Sequence, residues 1–551
     1  MRRRLILAAI ASVAITDAAM AGAEQGQDKI TKTGPSTTTE PYLVPTTEGV
    51  ATVSILTTGD SIGGYRLVGI PDGMGAFYDL GDGQTQGPDA HHAGPNRFHI
   101  VLHHELGRTV GVTRSHGSKG AFVSRWIIER DTLKVISGRD QINSPNDLFT
   151  WNGSGYVPGT TAFERFCSAD LAGTDAYRFR QFGTHERIFL GGEETSPPFT
   201  GDYGRAWAHV VTGPNTGKTY ELPRLGKHSF ENAVASPFAQ KKTIVMLDDD
   251  ANAATNVTPA TVCRAAGQTG CAAPGSELFM YVGTKQSTGN EIERAGLTNG
   301  KLFGLRVKVG GAVVTGENLD FVFSSTAPAV TSAQAEFVDL GDVSGKTGQQ
   351  IEDDALAAQV TQFMRIEDGA WDPRPGKQND YYFVTTGAIS ATQATWRPSR
   401  LWHVHFKDIA NPEAGGTIEM LLTNQFFAGA GTTPDDDPTF QMFDNMAIDG
   451  LGRIVLLEDV GNNARRGRIY VYGIDNRKLE QVAVHNPKFF QPGSPDFITQ
   501  DEEASGVIDA SNFLGAGWFL TTVQNHRPSS DAELVEGGQL LAVFIDPSIG
   551  R

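Results

Sequence analysis

The chain has 551 residues with 46 Lys or Arg and 63 Asp or Glu, a formal net charge of −17. An acidic balance of that size, with no basic stripe to override it, repels polyanions and argues against nucleic-acid or anionic-lipid partners. After the N-terminus no apolar run is long enough to span a bilayer.

Arg2, Arg3 and Arg4 precede the apolar run LILAAIASVAI, and Ala19-Met20-Ala21 follows as a small-residue cleavage pattern. This predicts a signal peptide over residues 1–21 and a periplasmic or secreted mature chain. Residues 22–47, rich in Thr, Gly, Pro and charge, are expected to form a flexible lead-in. Residues 48–551 are expected to be one domain. Cys263 and Cys271 flank the polar stretch RAAGQTG and allow a possible disulfide outside the cytoplasm. Cys167 is then left alone, either buried as a small apolar group or ligating a metal.

The body of the chain holds most of its 64 glycines and many runs of Val, Ile, Phe and Tyr, with helical periodicity confined to 348–363. The class is all-β. Six times a short apolar strand ends in polar or acidic residues and a second apolar strand follows. The pairs are 99–105 with 121–129, 187–194 with 205–212, 243–250 with 277–283, 380–387 with 400–406, 453–461 with 468–475, and 518–526 with 540–546. Six such units predict a six-bladed β-propeller with long loops at 251–276 and 308–355, a sandwich being the alternative.

Strand-like stretches at 230–237, 364–371, 443–450 and 501–509 precede these units. If each pairs with the next strand as a hairpin, its start lies beside that strand's end. Glu231 then approaches Asp248 and Asp249, Asp444 approaches Glu458 and Asp459, and Glu503 approaches Gln524 and His526. Cys167 likewise meets Glu193 and Glu194, and Asp72 meets Glu105. So many carboxylates at one channel mouth cannot all ionise without cations. Oxygen donors suit calcium, whereas a thiolate among them points to a transition metal; a structural calcium plug is the non-catalytic alternative.

Other motifs fall away. Gly59-Asp60-Ser61-Ile62-Gly63 lacks the strand-to-helix elbow of a hydrolase nucleophile, and Gly213–Thr219 is one residue short of a P-loop. The run Asp435-Asp436-Asp437 is expected to be a solvated loop.

The segments RFCSADLAG, GGEE, FENAVASP, MLDDDA, MRIEDGAWDP, FDNMAIDG and TTVQNH resemble, in order and spacing, the PhoX-type alkaline phosphatases across most of residues 60–546. The resemblance implies an exported six-bladed propeller that uses iron and calcium to hydrolyse phosphomonoesters. It implies that Cys167 and nearby carboxylates hold iron, that Glu194, Glu231, Asp249 and Glu367 share the iron–calcium cluster, and that Arg365 faces the phosphate. Phe166 stands where the family has Asn, Gly191-Gly192 where it has Thr-Cys, and Phe230 where it has His. Together these readings nominate Arg365 and Glu367 as catalytic and Arg365 as substrate-binding. The nominated metal ligands are Cys167, Glu193, Glu194, Glu231, Asp248, Asp249, Glu367, Asp368 and Glu105. The expected partners are small phosphorylated substrates, the expected state is a monomer, and a diesterase or phytase-like activity is the rival.

Overall fold

The computed structural model describes residues 29–78, 96–195, 202–251, 276–314, 332–389, 396–428 and 437–551. The expected signal peptide and the Cys263–Cys271 pair lie outside the described residues. Strands and turns make up nearly all of what is described, as the periodicity predicts, and no helix among the described residues is long and apolar enough to cross a membrane.

Six strands lie innermost: Pro71–Phe77, Phe166–Asp170, Phe230–Ala235, Ile366–Trp371, Phe443–Ile448 and Glu502–Asp509. Each packs against the next in chain order, and the last returns to the first, so they close a ring. Each also pairs antiparallel with a strand later in the chain, and Phe230–Ala235 and Ile366–Trp371 are the two edges of one continuous sheet. Every strand pair expected from the sequence forms. Apolar side chains fill the space between successive sheets. Val101, Phe166, Phe189 and Trp207 belong to one such cluster, and truncating the fully buried Trp207 would cost about 3–5 kcal/mol.

Three features depart from expectation. Within the segment expected as a loop over 308–355, Ser332–Gly341 is a strand, and it bridges Lys301–Val309 to Gly416–Thr423. Its alternation is plain once seen: Ala333, Ala335 and Phe337 are buried, whereas Gln334 and Glu336 are not. The helix expected over 348–363 covers Gly348–Ala357, capped by Thr347 and Gln350, and is stopped by the left-handed Gln359 (φ 57°).

The lead-in is the third departure. Within 22–47, the strand Ile30–Thr33 runs parallel to residues 51–54, and Leu43–Pro45 pairs with residues 483–485. Tyr42 packs edge-on against Phe489 and Phe490, and Leu43 is fully buried. Polar composition concealed these few apolar anchors. Beside them Val50–Thr57 pairs with Gly537–Ile545, so the start of the chain completes the sheet that its end begins.

Candidate metal centre

All six inner strands carry a register shift in their pairing with the following strand: Pro71/Met74, Phe166/Ala169, Phe230/Asn232, Ile366/Gly369, Phe443/Met446 and Ser505/Val507. Bulges re-aim side chains, and the first five enclose Asp72, Cys167, Glu231, Glu367 and Asp444. Glu503 is the corresponding second residue of the sixth strand. A backbone hydrogen bond repeats with them. The amide just beyond the second strand donates to the carbonyl two residues before each of these six. The pairs are Glu105 to Ile70, Glu194 to Arg165, Asp250 to Ser229, Thr386 to Arg365, Asp459 to Met442, and His526 to Asp501. The fold therefore presents two tiers of side chains at one end of the ring.

Ligand atoms of Asp72, Glu105 and Cys167 lie within 4.8 Å of one another, as do those of Cys167, Glu194 and Glu231, and those of Glu231, Glu367 and Asp444. Shared members join the three groups into one centre of six carboxylates and one thiol. The Cys167 thiol lies 3.3 Å from Asp72 Oδ2. Ser505 Oγ donates to Asp72 Oδ1 at 2.6 Å, Ser168 Oγ donates to Glu231 Oε1 at 2.7 Å, and Gln524 Nε2 donates to both Asp72 and Glu105. Two arginines flank the carboxylates. Arg165 bonds Glu105 Oε1 at 2.7 Å and Glu194 Oε2 at 2.6 Å. Arg365 forks onto Asp250 at 2.9 and 2.6 Å and reaches Glu367 Oε1 at 3.0 Å.

Electrostatics show what this centre lacks on its own. Burial, reinforced by neighbouring carboxylates, pushes Asp72, Glu231, Glu367 and Asp444 well above the usual carboxylate range. Burial, with Asp72, Glu231, Glu105 and Glu194 alongside, pushes the Cys167 thiol up as well. Glu194 rises to about 8 through burial, although Arg165 opposes it. Glu105 is also penalised by burial, but Arg165 brings it below its ordinary value. Burial lowers His526, yet Glu503 and Glu536 more than offset that and raise it to about 11. The donors thus sit together at a cost that bound cations would remove, and a thiolate among oxygens is the set a transition metal next to a hard cation would need. The residues present fit iron and calcium.

Strand parity separates Glu194 from Glu193 and Glu367 from Asp368, because successive side chains face opposite ways. Cys167, Glu105, Glu194, Glu231 and Glu367 enter the centre, with Arg365 beside it. Four others are placed elsewhere. Glu193 is held by Arg205 at 2.8 and 2.9 Å and also accepts from the Glu164 amide. Asp248 accepts from the Tyr381 hydroxyl at 2.9 Å. Asp249 gathers with His228 and Glu352. Asp368 accepts from Asn232 and from the Met446 amide, and it lines a cavity of ≈ 570 Å³ at the far ends of the inner strands.

Asp437, expected in a solvated loop, is buried against Arg465. The centre also contains residues that were not nominated as ligands or clamps. Asp72 and Asp444 lie in it, and Arg165 flanks it; the parallel between Arg165-Phe166-Cys167 and Arg365-Ile366-Glu367 was the signal for the arginine.

The sequence matches no protein-family model and no curated protein. Among solved structures the chain is similar to Pseudomonas fluorescens PhoX in complex with vanadate, a transition state analogue. That likeness covers 95% of this chain and 98% of that one, at a TM-score of 0.56 and 11% identity. A putative 6-phosphogluconolactonase from Bacteroides uniformis aligns over 80% of this chain and 95% of its own at a TM-score of 0.28 and 9% identity. The first likeness shows a shared fold.

Proposed function

We propose that the protein is an exported, metal-dependent hydrolase of phosphomonoesters built on a six-bladed β-propeller. One observation carries the reading: three interlocked ligand groups, joined through Cys167 and Glu231, are flanked by the forks of Arg165 and Arg365. The closed ring of six inner strands supports the propeller. The neighbour of like fold holds vanadate, an oxyanion of the same class as a phosphoryl group.

The donor chemistry divides the centre. The groups containing the Cys167 thiol suit iron, and the all-oxygen group of Glu231, Glu367 and Asp444 suits calcium. Bound cations supply Lewis acidity toward the phosphoryl oxygens. The chain itself orients the ester. Arg365 is 30% exposed and held rigid by Asp250, so its remaining guanidinium edge can take phosphoryl oxygens bidentately. His526 stays cationic well above neutral pH and adds positive potential beside the same mouth.

The test is phosphate release from mono-, di- and polyphosphorylated esters by purified protein, before and after chelation and after reloading with iron and calcium. Monoester turnover that disappears on chelation and returns on reloading supports the reading. Full activity after exhaustive chelation, or none on any ester when fully loaded, overturns it.

A further inference from the structure

We propose that His228, Asp249, Glu277 and Glu352 form a second, enclosed cation site that takes one divalent first-row transition metal. It is separate from the ring centre and does not depend on the phosphatase reading. Ligand atoms of His228, Asp249 and Glu352 lie within 4.8 Å of one another, and all four side chains are wholly buried or nearly so.

Hydrogen bonds leave the donors aimed and unused. His228 Nε2 donates to the Leu225 carbonyl at 3.1 Å, which leaves Nδ1 as the lone-pair nitrogen, and Nδ1 has no partner. A carbonyl that fixes the tautomer in this way is the usual support of a ligating imidazole. The ring is clamped by stacking on Phe279 at 4.3 Å. Asp249 Oδ1 accepts from the Ser229 amide at 2.9 Å, and Glu277 Oε1 accepts from Gln362 Nε2 at 3.1 Å. Asp249 Oδ2, Glu277 Oε2 and both oxygens of Glu352 are buried without a partner. A proton shared between Asp249 and Glu277 would settle two of these atoms and leave Glu352 and His228 Nδ1 unserved. Burial and mutual repulsion hold all three carboxyls well above their ordinary range, so they suit a cation better than solvent.

An imidazole nitrogen disfavours calcium and magnesium, and three carboxylates without sulfur disfavour copper(I), which leaves zinc, manganese or iron(II). The elements joined are the helix Gly348–Ala357, the strands Lys242–Asp249 and Ser276–Thr284, and the short strand Lys227–His228 that pairs with Gly204–Arg205. A cation here would pin the strand end that leads into Asp250, and with it the fork that holds Arg365.

The test uses the full chain with the ring centre disabled by Cys167→Ser and Glu231→Gln, stripped by chelator and titrated with Zn²⁺ or Mn²⁺. The expected result is one equivalent bound per chain with a rise in melting temperature. Adding Glu352→Gln should weaken binding at least a hundredfold and abolish that rise while the circular dichroism is unchanged. Should Glu352→Gln fail to fold, His228→Gln in the same background reads the same loss. The proposal is overturned if the ring-disabled chain binds no equivalent, or if binding survives Glu352→Gln or His228→Gln intact.

Discussion

Arg165 and Arg365 stand in the same relation to the candidate centre: each lies two residues before one of its members, Cys167 or Glu367, and each has left-handed backbone, at φ 30° and 62°. Ile70 and Met442 repeat the conformation before Asp72 and Asp444, at φ 51° and 38°. Such backbone costs on the order of 1–3 kcal/mol per residue and persists where surrounding structure over-determines it. The carbonyl of each of these four residues accepts the hydrogen bond from the tip of the second strand, as do those of Ser229 and Asp501, whose backbone is not left-handed. Arg165 reaches Glu105 and Glu194 at the tips of two second strands, whereas Arg365 reaches Asp250 at such a tip and Glu367 on an inner strand.

Replacing Arg365 by Lys keeps the charge and removes the fork. The expected loss in kcat/KM toward a phosphomonoester is about a hundredfold, since each tenfold corresponds to about 1.4 kcal/mol. Arg165 is more exposed, 46% against 30%, and Arg165→Lys should cost less, about tenfold. Steady-state kinetics decide it; an Arg365→Lys enzyme within twofold of wild type would remove Arg365 from substrate binding.

Cys167 is the one cysteine among the described residues, and it is buried. Loaded wild-type protein should contain iron and show a visible thiolate charge-transfer band. A Cys167→Ser variant should fold yet lose the colour, the iron and most activity, because a hydroxyl does not replace thiolate donation. Elemental analysis alongside the absorption spectrum checks this. An iron-replete, fully active serine variant would leave an oxygen-only centre as the better account.

Stability of the stripped protein should fall as pH rises. A carboxylate whose folded pKa exceeds its unfolded value holds its proton more tightly in the native state, so deprotonation favours unfolding. The window opens above the ordinary carboxylate range and runs through about 7 for Asp459 and about 8 for Glu194. His526 acts in the same direction: its stabilisation is full below the ordinary imidazole range and declines from there up to about 11. Chelated protein should therefore melt several degrees lower at pH 9 than at pH 5, and cations should flatten that slope. Parallel pH profiles with and without cations would contradict the coupling.

Arg465 lies fully buried, 2.7 Å from Glu458 and 3.1 Å from Asp437. Arg465→Met leaves two buried carboxylates uncompensated and should cost about 3–5 kcal/mol in urea unfolding. A loss below about 1 kcal/mol would mean that the two acids are protonated in the native state.

A chain beginning at Glu48 should melt well below one beginning at Lys29. It lacks two paired strands and the burial of Tyr42 and Leu43, together worth about 3–6 kcal/mol. Equal melting temperatures would show that the N-terminal strands contribute nothing to closure.

Strand identity and hairpin pairing were legible in the chain because both are local. Apolar runs such as TIVMLDDD and ELFMYVG sit close in sequence, and the end of one strand must meet the start of its partner. The same logic brought Cys167 near Glu194 and Asp72 near Glu105 before any coordinates. Ser332–Gly341 was missed although its period-2 pattern was present, because weakly apolar Ala occupies two of its buried positions.

Tertiary structure alone decided which of each adjacent acidic pair entered the centre. Glu193 or Glu194 and Glu367 or Asp368 differ by one residue, hence by the face of the strand, whereas Asp249 stays outside the centre and Asp250 meets it through Arg365. It also decided the company Asp249 keeps. His228 and Glu352 come from a strand and a helix 124 positions apart, and only the packing of those elements brings them together beside Asp249.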